Sequence, residues 1–81
     1  MEVHVYRSRR RMDTYLLVPA LEQLARVPEA LLGHFGEPEL SFTFTLTAER
    51  SLQRIDGAEL LARLAEQGFY LQLPPPREVG S

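Results

Sequence analysis

Cysteine, lysine and tryptophan are absent from this chain of 81 residues. Without cysteine there is no disulfide framework, no thiolate nucleophile and no cysteine-ligated zinc or iron–sulfur site. No apolar run approaches the roughly 20 residues that a bilayer-spanning helix needs. The opening Met1-Glu2-Val3-His4-Val5 has no basic stretch ahead of an apolar one, so no secretory signal is expected. The five glycines are too scattered to build a phosphate cradle, and no G-x-S-x-G elbow, P-loop or G-x-G-x-x-G stands in the sequence. The two histidines, His4 and His34, have no further ligand at a recognisable offset, which leaves metal ligation without a motif.

What is present has the balance of a folded protein: 44% hydrophobic and 25% charged residues, with a formal net charge of −2. The length suits one domain with a stability of about 4–12 kcal/mol. The charge is unevenly spread. Residues 1–26 carry five arginines against three carboxylates, and the remainder carries four against eight. A local basic spot therefore sits on a mildly acidic chain.

Hydrophobic spacing organises the rest. Val3 and Val5 alternate with His4 and Tyr6, which predicts a strand over residues 2–6. Residues 14–18 predict a second strand, apolar at successive positions and so covered on both faces. The short polar link between them predicts an antiparallel hairpin, and Pro19 ends it. Leu21, Leu24 and Ala25 suggest a helical turn or two before Pro28. Pro28 fits the first position of a second helix, with Leu31, Leu32 and Phe35 as its apolar stripe and Gly36 at its end. Leu40, Phe42, Phe44 and Leu46 alternate with Ser41, Thr43, Thr45 and Thr47, which puts hydroxyls on one face and apolar groups in the core. A short returning strand is expected over residues 51–55. Asp56 and Glu59 predict a capped helix start, and Ile55 with Leu60 a hydrophobic staple. Leu60, Leu61 and Leu64 are its stripe, and Gly68 its left-handed end, with Phe69 folding back on Leu64. Residues 69–73 predict a last strand, stopped by Pro74, Pro75 and Pro76. Residues 77–81 read as a frayed tail.

Several strings have a familiar look: Val5-Tyr6-Arg7-Ser8, Thr14-Tyr15-Leu16, Arg26-Val27-Pro28-Glu29, Phe35-Gly36, and the block from Glu66-Gln67-Gly68-Phe69-Tyr70 through Leu71-Gln72-Leu73 to Pro74-Pro75-Pro76. Together they resemble the YcgL domain family, small bacterial proteins without an established activity. The resemblance spans about residues 3–76. It implies a small α/β/α sandwich, a cytoplasmic protein and no known cofactor, and it supplies no catalytic residues. Met12 departs from the family pattern where an acidic residue is expected, and Leu17 where an aromatic is usual.

The fold class expected is therefore α+β: one domain over residues 1–76, with a four-stranded, mostly antiparallel sheet and helices near 28–35 and 57–67. Val5, Leu16, Leu31, Phe35 and Phe42 are expected in the core, with Phe44, Leu46, Leu60, Leu64 and Leu71. The helical cover on the threonine side is expected to be incomplete.

The sharpest functional feature is Arg7, Arg9, Arg10 and Arg11 crowded at one hairpin tip. An RNA backbone, a phosphate or an acidic protein surface would relieve their mutual repulsion. The plainer reading pairs them with Asp13 or with carboxylates elsewhere. Tyr6, Tyr15, Pro74, Pro75 and Pro76 are candidate surface beside that loop. Glu37 and Glu39, bracketing Pro38, read as a solvated pair. No nucleophile, base and orienting group stand together, so the reading is a non-enzymatic protein-interaction module. Its alternative is an RNA- or phosphate-associated protein binding through the arginine loop. Neither reading implies a cofactor or a membrane, and both suit a cytoplasmic monomer or weak homo-oligomer.

Overall fold

In the computed structural model, which describes residues 1–52 and 55–74, the first two strands form the expected hairpin. They are β1 (Glu2–Ser8) and β2 (Tyr15–Pro19). After them come α1 (Glu29–Phe35), β3 (Pro38–Thr45), α2 (Gly57–Gln67) and β4 (Tyr70–Gln72). The sheet order is β3-β1-β2-β4, with every pairing antiparallel.

Because β1 and β2 are the inner strands, both of their faces are covered. Val3, Val5 and Leu17 pack with Leu46, Ile55 and the α2 residues Leu60 and Leu64. Leu16 and Val18 pack on the other face with Val27 and Phe35 of α1. The successive apolar residues of β2 thus serve two cores, one under each helix, and the architecture is the helix–sheet–helix sandwich expected. The hydroxyl side of β3 is open: Ser41, Thr43 and Thr45 are exposed.

The helix ends follow local chemistry. Gly68 closes α2 at φ 83°, and its N–H donates to Leu64 O at 2.9 Å. Gly36 closes α1 at φ 85°, with its N–H on Leu32 O at 2.9 Å. Ile55 and Leu60 share one cluster, as a staple would bring them.

Six expectations change. Pro28 is the N-cap of α1, one position before the first helical residue. Asp56 occupies the N-cap of α2 but makes no side-chain capping bond. Gly57, the first residue of α2, instead donates its N–H to Arg50 O at 2.8 Å. Residues 20–26 form consecutive turns and no helix, because Gln23 takes φ 51°, a left-handed value that interrupts helical bonding. Phe69 packs with the Leu16 cluster on the face opposite Leu64. In the described part of residues 51–55, a lone bridge from Ser51 to Asp56 replaces the returning strand.

The largest change is in β3. Val5 pairs with Phe42, yet the next β1 residue, Tyr6, pairs with Leu40, so Ser41 is an extra residue in the ladder. That irregularity turns Leu40 to the Tyr6 side of the sheet while Phe42 and Phe44 stay with Val5 and Val3. β3 is also an edge strand. Leu40 and Phe42 are consequently about half exposed, at 50% and 54%, and the expected four-residue core face reduces to Leu46 and the half-buried Phe44.

Candidate functional site

The β1–β2 tip is built on one serine. Ser8 ends β1 with its side chain buried, and its Oγ donates to Phe35 O at 2.5 Å. The same oxygen accepts the backbone N–H groups of Arg10 at 3.2 Å and Arg11 at 2.9 Å. Ser8 N–H donates to Thr14 O at 3.0 Å and closes the turn. Asp13, at φ 55°, takes the left-handed geometry that short polar side chains tolerate. A serine two and three residues ahead of the N–H groups it accepts is a local turn signal, legible in Ser8-Arg9-Arg10-Arg11. Replacing Ser8 by alanine strands those groups and should lower stability by about 1–3 kcal/mol, read as a shift in denaturant midpoint. An unchanged midpoint would remove Ser8 as the anchor of the tip.

The four arginines divide into two pairs. Arg10 Nη1 donates to Gly33 O at 2.8 Å and Arg11 Nε to His34 O at 3.0 Å. These oxygens belong to the last turn of α1, where carbonyls lack intrahelical donors and the helix dipole is negative. Arg7 and Arg9 share one carboxylate: Arg7 bonds Glu39, its register partner on β3, and Arg9 Nε stands 3.7 Å from the other Glu39 oxygen. Glu39, read from sequence as a solvated acid, is the counter-charge of the tip. Its place follows from the β1–β3 register, which the sequence does not spell out. These pairs are exposed and contribute little stability.

The tip encloses an open depression of about 460 Å³ lined by the arginines together with Asp13 and Tyr15. Tyr15 also borders a second, mainly apolar depression of about 300 Å³, floored by Val5 and Leu17 and walled by Phe42, Phe44 and Leu52. Arg50 lies over the Phe44 ring, 4.7 Å from its centroid, a cation–π contact. Nothing in the spacing of the sequence announces Arg50 as a neighbour of Phe44, or Phe42 as a neighbour of Tyr15 around one depression.

Other candidates lie elsewhere. Tyr6 faces the opposite side of the sheet from Tyr15, edge-on to His4 at 6.3 Å between ring centroids. Pro74 follows β4 and is exposed, whereas Pro75, Pro76 and the tail 77–81 lie outside the described residues. His34 is exposed in the last turn of α1. His4 Nδ1 is buried without a hydrogen-bond partner. Among the described residues no three His, Asp or Glu side chains gather as metal ligands, and no helix is long and apolar enough to cross a membrane.

The glycine-ended α2 that leads into Tyr70–Gln72 and Pro74 has a counterpart among known sequences: the YcgL domain model matches residues 3–75. The chain belongs to the YcgL domain family. A YcgL domain-containing protein of Pseudomonas aeruginosa is 50% identical over 74 residues, covering 91% of this chain and 76% of that protein. One from Thioalkalivibrio sulfidiphilus is 44% identical over 78 residues, 96% of each chain. One from Pseudoalteromonas atlantica is 43% identical over 74 residues, 91% of this chain and 78% of its own.

Proposed function

We propose that this YcgL domain is a non-enzymatic interaction module of the cytoplasm that takes an anionic partner at the β1–β2 tip. One observation carries the reading: four guanidinium groups stand at one anchored hairpin tip and, among the described residues, one carboxylate, Glu39, is ion-paired with them. The carbonyl oxygens that accept from Arg10 and Arg11 cancel no full charge, so the tip stays positive on a chain of net charge −2. Guanidinium forks match phosphate and carboxylate oxygens, and side chains already held lose less entropy on binding. The hydroxyls at the root of the turn, Ser8 and Thr14, are buried and donate to backbone oxygens. The tip therefore presents charge and not an activated nucleophile.

Inorganic polyphosphate titrated into the full chain by calorimetry should bind, with log K falling linearly against log salt. Arg9 has the weakest internal tie of the four, and Arg9→Ala should flatten that slope by about 0.7–1. Absence of binding at low salt, or wild-type affinity in an Arg7→Ala/Arg9→Ala variant, would overturn the reading.

A second reading is a protein partner that adds a strand to β3, favoured by its outer edge, which pairs with no other strand among the described residues, and by the half-exposed Leu40 and Phe42. Strand addition is carried by backbone hydrogen bonds, so its affinity is nearly insensitive to salt. The extra residue at Ser41 works against it, since irregular edges pair poorly.

A further inference from the structure

The basic tip and the apolar depression share Tyr15 and lie on the same face of the sheet. The register sets them in two rows: Phe42, Val5, Leu17 and Tyr70 in one, then Glu39, Arg7, Tyr15 and Gln72 in the next, one step nearer the tip. α2 covers this face at its far end, over Val3 and Leu17, and leaves Phe42 half exposed. Cationic groups flank the aromatic depression on both sides, Arg7 and Arg9 at the tip and Arg50 over Phe44.

Resting on the anion-binding reading above, we propose that this face is a platform for single-stranded nucleic acid, with bases stacked on Phe42 and Tyr15 and phosphates held by Arg7 and Arg9. The aromatic component decides between anions. An acidic peptide would satisfy the guanidinium groups but bring no flat ring to cover Phe42, whereas every base carries a π-face. Phe42 on β3 and Tyr15 on β2 are separated by two strand spacings, about 10 Å laterally. At that distance the two rings take neighbouring bases of a splayed strand, not the two sides of one base. A duplex keeps its bases stacked inside and offers this face only backbone. Stacking of this kind is tolerant of sequence, so the platform selects strand state more than base identity.

The test uses the full chain and fluorescence anisotropy with labelled ten-residue probes: oligouridine, oligothymidine, an abasic sugar–phosphate chain and polyglutamate. Oligouridine should bind about tenfold or more tighter than the abasic chain. Phe42→Ala should erase that preference while leaving abasic binding in place. Phe42→Trp should keep it, which guards against loss of fold as the explanation. Arg9→Ala should weaken both probes. Thymidine matching uridine supports a platform for strands of either sugar. Thymidine binding no better than the abasic chain narrows it to RNA and supports it there. Equal affinity for uridine and abasic probes overturns the platform but spares the anion reading. Polyglutamate matching uridine overturns it in favour of an acidic protein. Failure of every anionic probe to bind overturns both.

Discussion

Alanine at position 57 should cost the domain about 3 kcal/mol, the upper end of ordinary overpacking and a large share of the stability of so short a chain. A methyl group on Gly57 would run into Thr47 O and stand 2.6 Å from Arg50 O and 3.2 Å from Arg50 N. All three are backbone atoms, so no rotamer change clears the space. The backbone torsions of Gly57 lie outside the left-handed region, and what the residue supplies is room. That room lets the turn at Thr47–Arg50, closed by Arg50 N–H on Thr47 O at 3.1 Å, lie against the first residue of α2. Pushing them apart would break the Gly57 N–H to Arg50 O bond and shift Arg50 off the Phe44 ring. Chemical denaturation of Gly57→Ala reads the effect as a lowered midpoint. Gly33, with nothing within 4 Å of its own would-be methyl, is the matched control. If both variants melt alike, the contact is not the constraint described.

The features legible in sequence were those fixed by neighbours along the chain. The β1–β2 hairpin followed from two apolar runs and a short polar link, and α2 from its leucine stripe and Gly68. Of the residues absent from the expected core, Val3, Leu17 and Val18 are buried because the inner strands are covered twice, and Val27 and Ile55 because the segments leading into α1 and α2 pack into the same two clusters. What could not be read was set by register. One extra residue at Ser41 moved Leu40 across the sheet and left an alternating pattern that looks like a core strand on an exposed edge. The basic tip was visible as four arginines, but its internal partners were not. The α1 carbonyls and Glu39 reach it only after the fold brings positions about 23 and 32 residues away beside it. Ser8 is the exception. Its role is local, and a serine ahead of consecutive backbone donors announces it.

Two substitutions of residues that look equivalent in the sequence should separate widely. Leu16 and Phe42 both sit in strands at apolar positions, yet Leu16 is 0% exposed and Phe42 54%. Leu16→Ala removes methyl groups from the cluster of Val18, Val27 and Phe35, between its register partners Tyr6 and Leu71. Such truncations cost about 2–5 kcal/mol, depending on how far the neighbours close the void. Phe42→Ala forfeits only the buried half of a ring, about 1 kcal/mol. Denaturant titration of both variants gives the comparison, and a Phe42→Ala loss equal to that of Leu16→Ala would mean that β3 is held as a core strand after all. The larger loss should also travel. Leu16 lies in the same cluster as Phe35, and the Phe35 carbonyl and the last-turn oxygens of α1 hold Ser8, Arg10 and Arg11. Loosening that cluster should raise hydrogen exchange at the Arg10 and Arg11 amides in Leu16→Ala but not in Phe42→Ala. The tip is then as rigid as the core beneath α1, and the charge it displays depends on side chains that never touch a ligand.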